Sequence, residues 1–116
     1  MALAFFLTLA AAATPAPSAA EPSDAEVQAV VAVVCLPEYR WPCAAAVWVV
    51  WQESRFDRYA YNAEGPYWGW WQLSAGKFPD PETAYDPVLA TQRAYQLWVE
   101  SGGSFAWHWP VAGAGF

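Results

Sequence analysis

The sequence predicts a small, mainly α-helical domain of the α+β class with a short β-hairpin or extended segment. The first observation is the stretch A-A-A-V-W-V-V-W-Q-E-S (residues 44–54), which is apolar on every side before it ends in Gln52, Glu53 and Ser54. A helix that is hydrophobic all round belongs inside a core. The second observation is a pair of segments with helix-start signals, and the third is an aromatic segment bounded by turn residues.

Length and composition predict a single domain that does not bind nucleic acid. The chain has 116 residues, enough for a single core. Its formal net charge is −6, and its five Lys and Arg residues form no cluster. Nucleic acid is therefore not expected as a partner, and we expect a monomer. The nine Trp residues account for part of the high apolar content, and such side chains often line interfacial or sugar-binding surfaces.

Residues 1–20 resemble a signal peptide, and residues 21–116 form the predicted domain. An apolar run from Ala2 to Ala13 is followed by small residues at Ser18 and Ala20, as at a signal-peptidase site. The run is too short to span a membrane as a helix. No basic residue precedes Arg40, so we expect either that Met1 is a misassigned start or that the chain is a fragment. A buried N-terminal helix is the alternative to a signal peptide. We expect an exported protein, in the periplasm, the cell wall or outside the cell, with no stable membrane span in the mature chain.

Two cysteines, Cys35 and Cys43, flank a short loop. In a secreted chain such a pair indicates a disulfide, which would tie the first helix to the start of the second. A metal site is the less favoured alternative, since two thiols and one His do not fill a usual four-ligand shell. No cofactor is expected.

Capping signals place the first two helices. Ser23 and Glu26 form a capping box, and the helix they start runs to about Val34 or Cys35 before Pro37. Pro42 suits the first turn of the central helix, which is predicted to end near Ser54 or Arg55.

The middle of the chain is predicted to be irregular around one aromatic segment. Residues 56–66 are polar and rich in turn formers. The segment from Tyr67 to Ser74 is predicted as a short strand or extended turn, with Gly69 where a side chain would obstruct the backbone. Residues 78–83 carry two prolines and are predicted as a loop.

The last helix is predicted to begin at Asp86-Pro87, an N-cap and first-turn pair, and to close at Gly102-Gly103. Its apolar face is predicted to include Val88, Thr91 and Trp98.

Glu53 is the candidate catalytic residue because it is the carboxylate embedded in an apolar segment. Desolvation opposes ionisation and can make a Glu a proton donor near neutral pH. Amide groups and abundant aromatic rings suit acid catalysis on a carbohydrate. The alternative is a solvated helix terminus, where a carboxylate interacts slightly unfavourably with the helix dipole.

The residue spacing from Glu53 to Gln72 resembles the signature of the soluble lytic transglycosylase family of lysozyme-like proteins. The matching positions are Glu53, Ser54, Phe56, Asp57, Ala60, Asn62, Gly65, Gly69 and Gln72, followed by Asp86, Pro87 and Ala94 further on. The resemblance covers roughly residues 35–109. It implies a small helical domain with the catalytic Glu at the end of a buried helix.

By this resemblance, Glu53 would protonate the β-1,4 glycosidic oxygen between N-acetylmuramic acid and N-acetylglucosamine in peptidoglycan glycan strands. It would then act as base on the muramoyl 6-hydroxyl. Ser54 would hydrogen-bond the reacting region, and Gln72 with the backbone near Gly69 would hold sugar groups. The candidate sugar platforms are Tyr67, Trp68, Trp70 and Trp107, and each of the Trp residues could equally be a core residue.

The chain departs from the family pattern at three places. Ala90 stands where an Asn is expected, and the stretch from Gly65 to Gly69 is one residue longer than usual. The late Tyr-Asn-Ala-Gly motif is replaced by S-F-A-W-H-W-P, in which Trp107 or Trp109 could fill the space and His108 could supply a polar contact.

We therefore expect a secreted lytic transglycosylase, a glycosidic-bond lyase, or a lysozyme-type glycoside hydrolase (muramidase). A hydrolase normally pairs two carboxylates, for which Asp57 and Glu64 are candidates. The alternatives are a non-catalytic wall-binding or structural module of a secreted or phage-tail assembly, and a small membrane-associated interaction protein.

Overall fold

A computed structural model describes residues 21–76 and 80–113, and these form a mixed α+β fold. The predicted signal-peptide-like segment, residues 1–20, lies outside the described residues. The helices are α1 (Asp24–Val34), α2 (Cys43–Ser54), α3 (Pro81–Tyr85) and α4 (Pro87–Glu100), and the strands are β1 (Tyr61–Asn62), β2 (Tyr67–Trp68) and β3 (Leu73–Ser74).

The first two helices begin and end as the capping signals predict. The Ser23 hydroxyl accepts a hydrogen bond from the Glu26 N–H, and the Glu26 carboxylate accepts one from the Ser23 N–H, which completes the capping box. Cys35 caps the end of α1 and is disulfide-bonded to Cys43, the first residue of α2, with 5.3 Å between their Cα atoms. The predicted disulfide is thus confirmed, and it joins α1 to α2.

Helix α2 packs one face into the core and leaves another exposed. Ala45, Ala46, Val49 and Val50 are buried, whereas Trp48 is 46% exposed. The prediction of burial on every side is therefore wrong for the Trp48 side. An all-apolar sequence does not specify which face packs inward, and in this fold α1 packs against only part of the helix surface.

Three two-residue strands form an antiparallel sheet in the order β1-β2-β3. Tyr61 pairs with Trp68, and Trp68 pairs with Leu73 on the third strand. The prediction of a strand or extended turn for residues 67–74 is confirmed in the form of a hairpin. The preceding segment, expected to be irregular, contributes β1 at Tyr61–Asn62.

Helix α3 corrects the prediction of a loop for residues 78–83. Asp80 caps this helix, since its carboxylate accepts hydrogen bonds from the Thr83 N–H and hydroxyl, and Pro81 occupies the first turn. Proline is tolerated there because the first-turn N–H groups have no partner within the helix. Residues 78 and 79 lie outside the described residues.

Helix α4 begins at the predicted pair. The Asp86 carboxylate accepts hydrogen bonds from the Val88 and Leu89 N–H groups. Its buried face includes Ala90, Thr91, Ala94 and Leu97, whereas Val88, expected on that face, is 47% exposed. Ala90 is fully buried, so the Asn expected there from the family pattern would have to find a partner inside the core.

Large aromatic side chains fill the core, and their polar atoms are paired. The Trp41 indole donates to the Val34 carbonyl, the Trp71 indole to the Thr91 hydroxyl, and the Trp109 indole to the Trp71 carbonyl. A buried indole N–H without a partner would cost free energy. Within residues 21–76 and 80–113, no helix is long and apolar enough to cross a membrane.

Candidate functional site

A cavity of about 380 Å³ lies between the end of α2, the sheet and the segment that follows α4. Its walls bring together residues from five separate stretches of the chain. They are Gln52, Glu53, Asn62, Tyr67, Gln72, Leu73, His108, Trp109, Pro110 and Val111. Glu53, Tyr67 and Gln72, predicted as site residues, therefore line one space.

Glu53 lies in the last turn of α2 and is only partly exposed. Burial raises the pKa of its carboxyl above the ordinary value of 4.5, because desolvation penalises the charged form. A protonated carboxyl facing a cavity can donate a proton to a bound molecule.

The chain reverses direction immediately after Glu53 through two residues in the left-handed region. Arg55 has φ of 53° and Phe56 has φ of 64°. The indole N–H of Trp70, a buried side chain, donates to the Phe56 carbonyl at 3.1 Å. Such backbone conformations are uncommon for residues other than Gly and often occur near functional sites. This reversal fixes the end of α2 against the segment that carries Gln72.

The Gln72 side chain stabilises the hairpin from inside the cavity. Its Nε2 donates to the Gly69 carbonyl at 3.1 Å and to the Ala60 carbonyl at 3.3 Å. Both bonds use the amide nitrogen, which leaves Oε1 as an acceptor for a ligand. Gln72 also has positive φ, 49°.

Gly69 is required by its close packing, as the sequence predicts. Its φ is +80°, and a Cβ placed there would collide with the backbone carbonyl of Ala84 in α3. The Gly69 N–H donates to the Ala60 carbonyl at 2.8 Å. Gly69 thus supports the site by positioning the turn rather than by lining the cavity.

The sheet contributes a second wall. Asn62 and Tyr67 form a cross-strand pair, and both line the cavity. Asn62 was matched to the family pattern but had no assigned role. Its Oδ1 accepts a hydrogen bond from the Glu64 N–H.

The third wall comes from residues 108–111, most of which have no predicted role in the site. His108 was considered there only as a polar contact, and Trp109 as a space filler. Trp109 is 3% exposed, and its indole N–H donates a hydrogen bond to the Trp71 carbonyl. Pro110 and Val111 could not be identified as lining residues from the sequence, because an apolar residue in a cavity wall has the same side chain as an apolar residue elsewhere.

The other predicted sugar contacts lie elsewhere. Ser54 is buried, its hydroxyl donates to the Val50 carbonyl of the same helix, and it does not line the cavity. Trp107 is 76% exposed and is also absent from the cavity wall. Trp70 is a core residue, and Trp68 is partly buried and pairs with Tyr61 on the sheet.

Glu53 is the one carboxylate among the described residues that line the cavity. Asp57 and Glu64 are exposed and line none of it. The Asp57 carboxylate instead accepts a hydrogen bond from the Tyr59 N–H in its own loop. In the described part of the chain, no three His, Cys, Asp or Glu side chains lie close enough together to hold a metal ion.

Glu53→Gln is expected to raise the free energy of unfolding above that of wild type, and this difference is expected to grow as pH rises. Since the folded-state pKa of Glu53 is raised, its contribution to stability is full below the ordinary value of 4.5 and is lost as pH rises through the folded pKa. A Gln carries no such penalty. Urea unfolding of both proteins across a pH series, with the disulfide intact, measures the difference. A stability difference that does not change with pH would contradict the desolvation of Glu53.

No protein-family model matches the chain, and no curated protein or solved structure matches it at a significant level.

Proposed function

We propose that the chain is a lysozyme-like enzyme that cleaves peptidoglycan, as a lytic transglycosylase or a muramidase, at the β-1,4 bond between N-acetylmuramic acid and N-acetylglucosamine. One observation carries the proposal: the partly buried Glu53, whose pKa is raised, shares a cavity with Gln72. The resemblance of residues 53–72 to the transglycosylase signature assigns roles to these same two residues.

The architecture supports the lysozyme-like part of the proposal. The resemblance implies a helical domain with a short β segment and a Glu at the end of a buried helix. Here α2 ends at Ser54, one residue after Glu53, and the three-stranded sheet follows directly. Gln72, which lines the cavity, and Arg55 and Phe56, which directly follow α2, all have left-handed backbone. Strained backbone of this kind is common near functional sites.

The lining of the cavity suits a carbohydrate ligand. It combines amide groups of Gln52, Asn62 and Gln72 with the phenol of Tyr67 and apolar surface from Leu73 and the 109–111 segment. Amides donate and accept hydrogen bonds with hydroxyl and N-acetyl groups, and aromatic rings offer a flat apolar face. The volume of about 380 Å³ falls within the range of ligand pockets.

The proposed reaction begins with a proton transfer from Glu53 to the glycosidic oxygen. The bond from that oxygen to the anomeric carbon breaks, and the departing sugar keeps the electron pair. The muramoyl 6-hydroxyl then attacks the anomeric carbon and gives its proton to a base, which by the family resemblance is the Glu53 carboxylate. This attack gives a 1,6-anhydro product, whereas attack by water, deprotonated in the same way, gives a reducing end.

A single carboxylate in the cavity favours the transglycosylase outcome. Retaining and inverting hydrolases place two carboxyl groups about 5–9.5 Å apart across the bond. Asp57 and Glu64, the candidates for a second group, do not line the cavity. An internal hydroxyl is tethered to the reacting sugar and needs no separately positioned water.

The proposed setting is extracytoplasmic, with glycan strands as the partner. The Cys35–Cys43 disulfide is compatible with an oxidising compartment.

Digestion of purified sacculi followed by mass analysis of the soluble products tests the proposal. Anhydro ends on the released muropeptides would support a lyase, and reducing ends would support a muramidase. Sacculi that bind the protein but release nothing would instead support the non-catalytic wall-binding module. Absence of both binding and release would contradict the proposed substrate.

A further inference from the structure

His108, the single histidine of the chain, lies in the wall of the cavity that contains Glu53. Its neighbour Trp109 holds it there. The Trp109 indole donates to the Trp71 carbonyl at 2.8 Å, its backbone N–H donates to the Phe105 carbonyl at 2.9 Å, and its carbonyl accepts from the Gly113 N–H at 2.7 Å. The imidazole is partly buried, and its ring centre is 5.9 Å from that of Trp109.

Among the described residues that line the cavity with His108, one carries a carboxyl group. Glu53 comes from α2, the phenol of Tyr67 from β2, and the remaining polar side chains of the wall are the amides of Gln52, Asn62 and Gln72. No Lys, Arg or Asp from the described residues lines the cavity. An imidazole ordinarily titrates near 6.5 and can therefore accept a proton at neutral pH.

The size of the cavity brings both groups within reach of one substrate. A volume of 380 Å³ is that of a sphere about 9 Å across, comparable to the 6.5–9.5 Å that separates acid and base in glycosidases with a nucleophile between them. Glu53 and His108 both line this cavity, so a sugar bound there lies against both residues.

We infer that His108 is the general base that takes the proton of the attacking hydroxyl while Glu53 protonates the leaving oxygen. This inference rests on the proposed function and deepens it. It assigns the two proton transfers to two residues, whereas the family resemblance assigns both to Glu53.

The step balances without a further reactant. The Glu53 carboxyl gives its proton to the glycosidic oxygen, and the bond to the anomeric carbon breaks with its electron pair on that oxygen. The muramoyl 6-oxygen bonds to the anomeric carbon, and its proton moves to the unprotonated ring nitrogen of His108. A carboxylate and an imidazolium remain, and transfer of a proton from one to the other through water restores both groups.

The pH profiles of wild type, His108→Gln and His108→Ala on soluble glycan strands test the inference. Wild type is expected to show a bell-shaped profile of kcat/KM, because the site is inactive when both groups are protonated or both are unprotonated. His108→Gln is expected to lose about 10²–10³-fold at the optimum and also to lose the acid limb, since Gln does not titrate. Free imidazole is expected to restore part of the activity of His108→Ala.

A measurement on the intact site complements these variants. Because the chain has one histidine, NMR of a tag-free protein reports the pKa of His108 without ambiguity. Replacing Glu53 by Gln removes a nearby negative charge and is expected to lower that pKa by about 0.3 or more.

The inference is overturned if His108→Gln keeps the acid limb, whatever its rate, or if Glu53→Gln leaves the His108 titration unchanged. In that case Glu53 makes both transfers and the proposed function stands. Failure of the proposed function itself would give a different result, because wild type would then release no muropeptides at any pH.

Discussion

Replacing Glu53 by Gln is expected to lower kcat/KM for release of soluble muropeptides by about 10³-fold or more. A carboxyl donor contributes about 10²–10⁴-fold to such reactions, and the amide of Gln cannot release a proton to the leaving oxygen. The two side chains have nearly the same shape, and the carboxylate of Glu53 forms no hydrogen bond or ion pair within residues 21–76 and 80–113. The fold of the variant is therefore expected to survive, as near-ultraviolet circular dichroism can check.

The matched control is the same chemical change at Glu64. Glu64 is exposed in the loop between β1 and β2 and does not line the cavity. Glu64→Gln is expected to keep activity within about twofold, in line with the small effects of most surface changes. Equal activity of wild type and Glu53→Gln would refute the catalytic role of Glu53. A large loss in Glu64→Gln would instead indicate a two-carboxylate hydrolase.

Local signals in the sequence predicted most of the helical boundaries. The Ser23–Glu26 capping box and the Asp86-Pro87 pair each satisfy backbone N–H groups that a helix start leaves unpaired, so their position fixes where the helix begins. The disulfide followed from the close spacing of Cys35 and Cys43. These features depend on neighbours within a few residues, and the sequence contains that information directly.

Features that depend on distant contacts could not be predicted in the same way. Strand β1 has only two residues, and its pairing with β2 is determined by the turn between them rather than by an apolar pattern. Helix α3 has five residues and packs against β2, and two prolines made its segment look like a loop. Both elements are too short for hydrophobic periodicity to identify them.

The same distinction between local signals and distant contacts applies to the candidate site. Glu53 and Gln72 were predicted because one ends an apolar helix and the other follows an aromatic turn at the family spacing. The wall from His108 to Val111 lies more than fifty residues from Glu53 in sequence. It reaches the cavity because the Trp109 indole N–H donates a hydrogen bond to the Trp71 carbonyl. A contact between residues so far apart in sequence cannot be predicted from a local pattern.

The turn that carries Gln72 depends on Gly69, and Gly69→Ala is expected to lower the free energy of unfolding by about 2–5 kcal/mol. Two costs combine. A positive φ of +80° disfavours any residue with a Cβ by about 1–2 kcal/mol, and forcing a methyl against the Ala84 carbonyl adds about 1–3 kcal/mol of overpacking. This is a large fraction of the stability of a typical small domain.

Gly102→Ala separates the two costs. Gly102 has φ of +81°, almost the same as Gly69, but a Cβ there would meet no atom within 4 Å. Its substitution is expected to cost only the conformational part, about 1–2 kcal/mol. Urea unfolding of both variants under non-reducing conditions measures the difference, and equal losses would show that the contact with α3 does not matter. A larger loss for Gly69→Ala should be accompanied by reduced activity, because the Gly69 carbonyl also holds the Gln72 amide in the cavity wall.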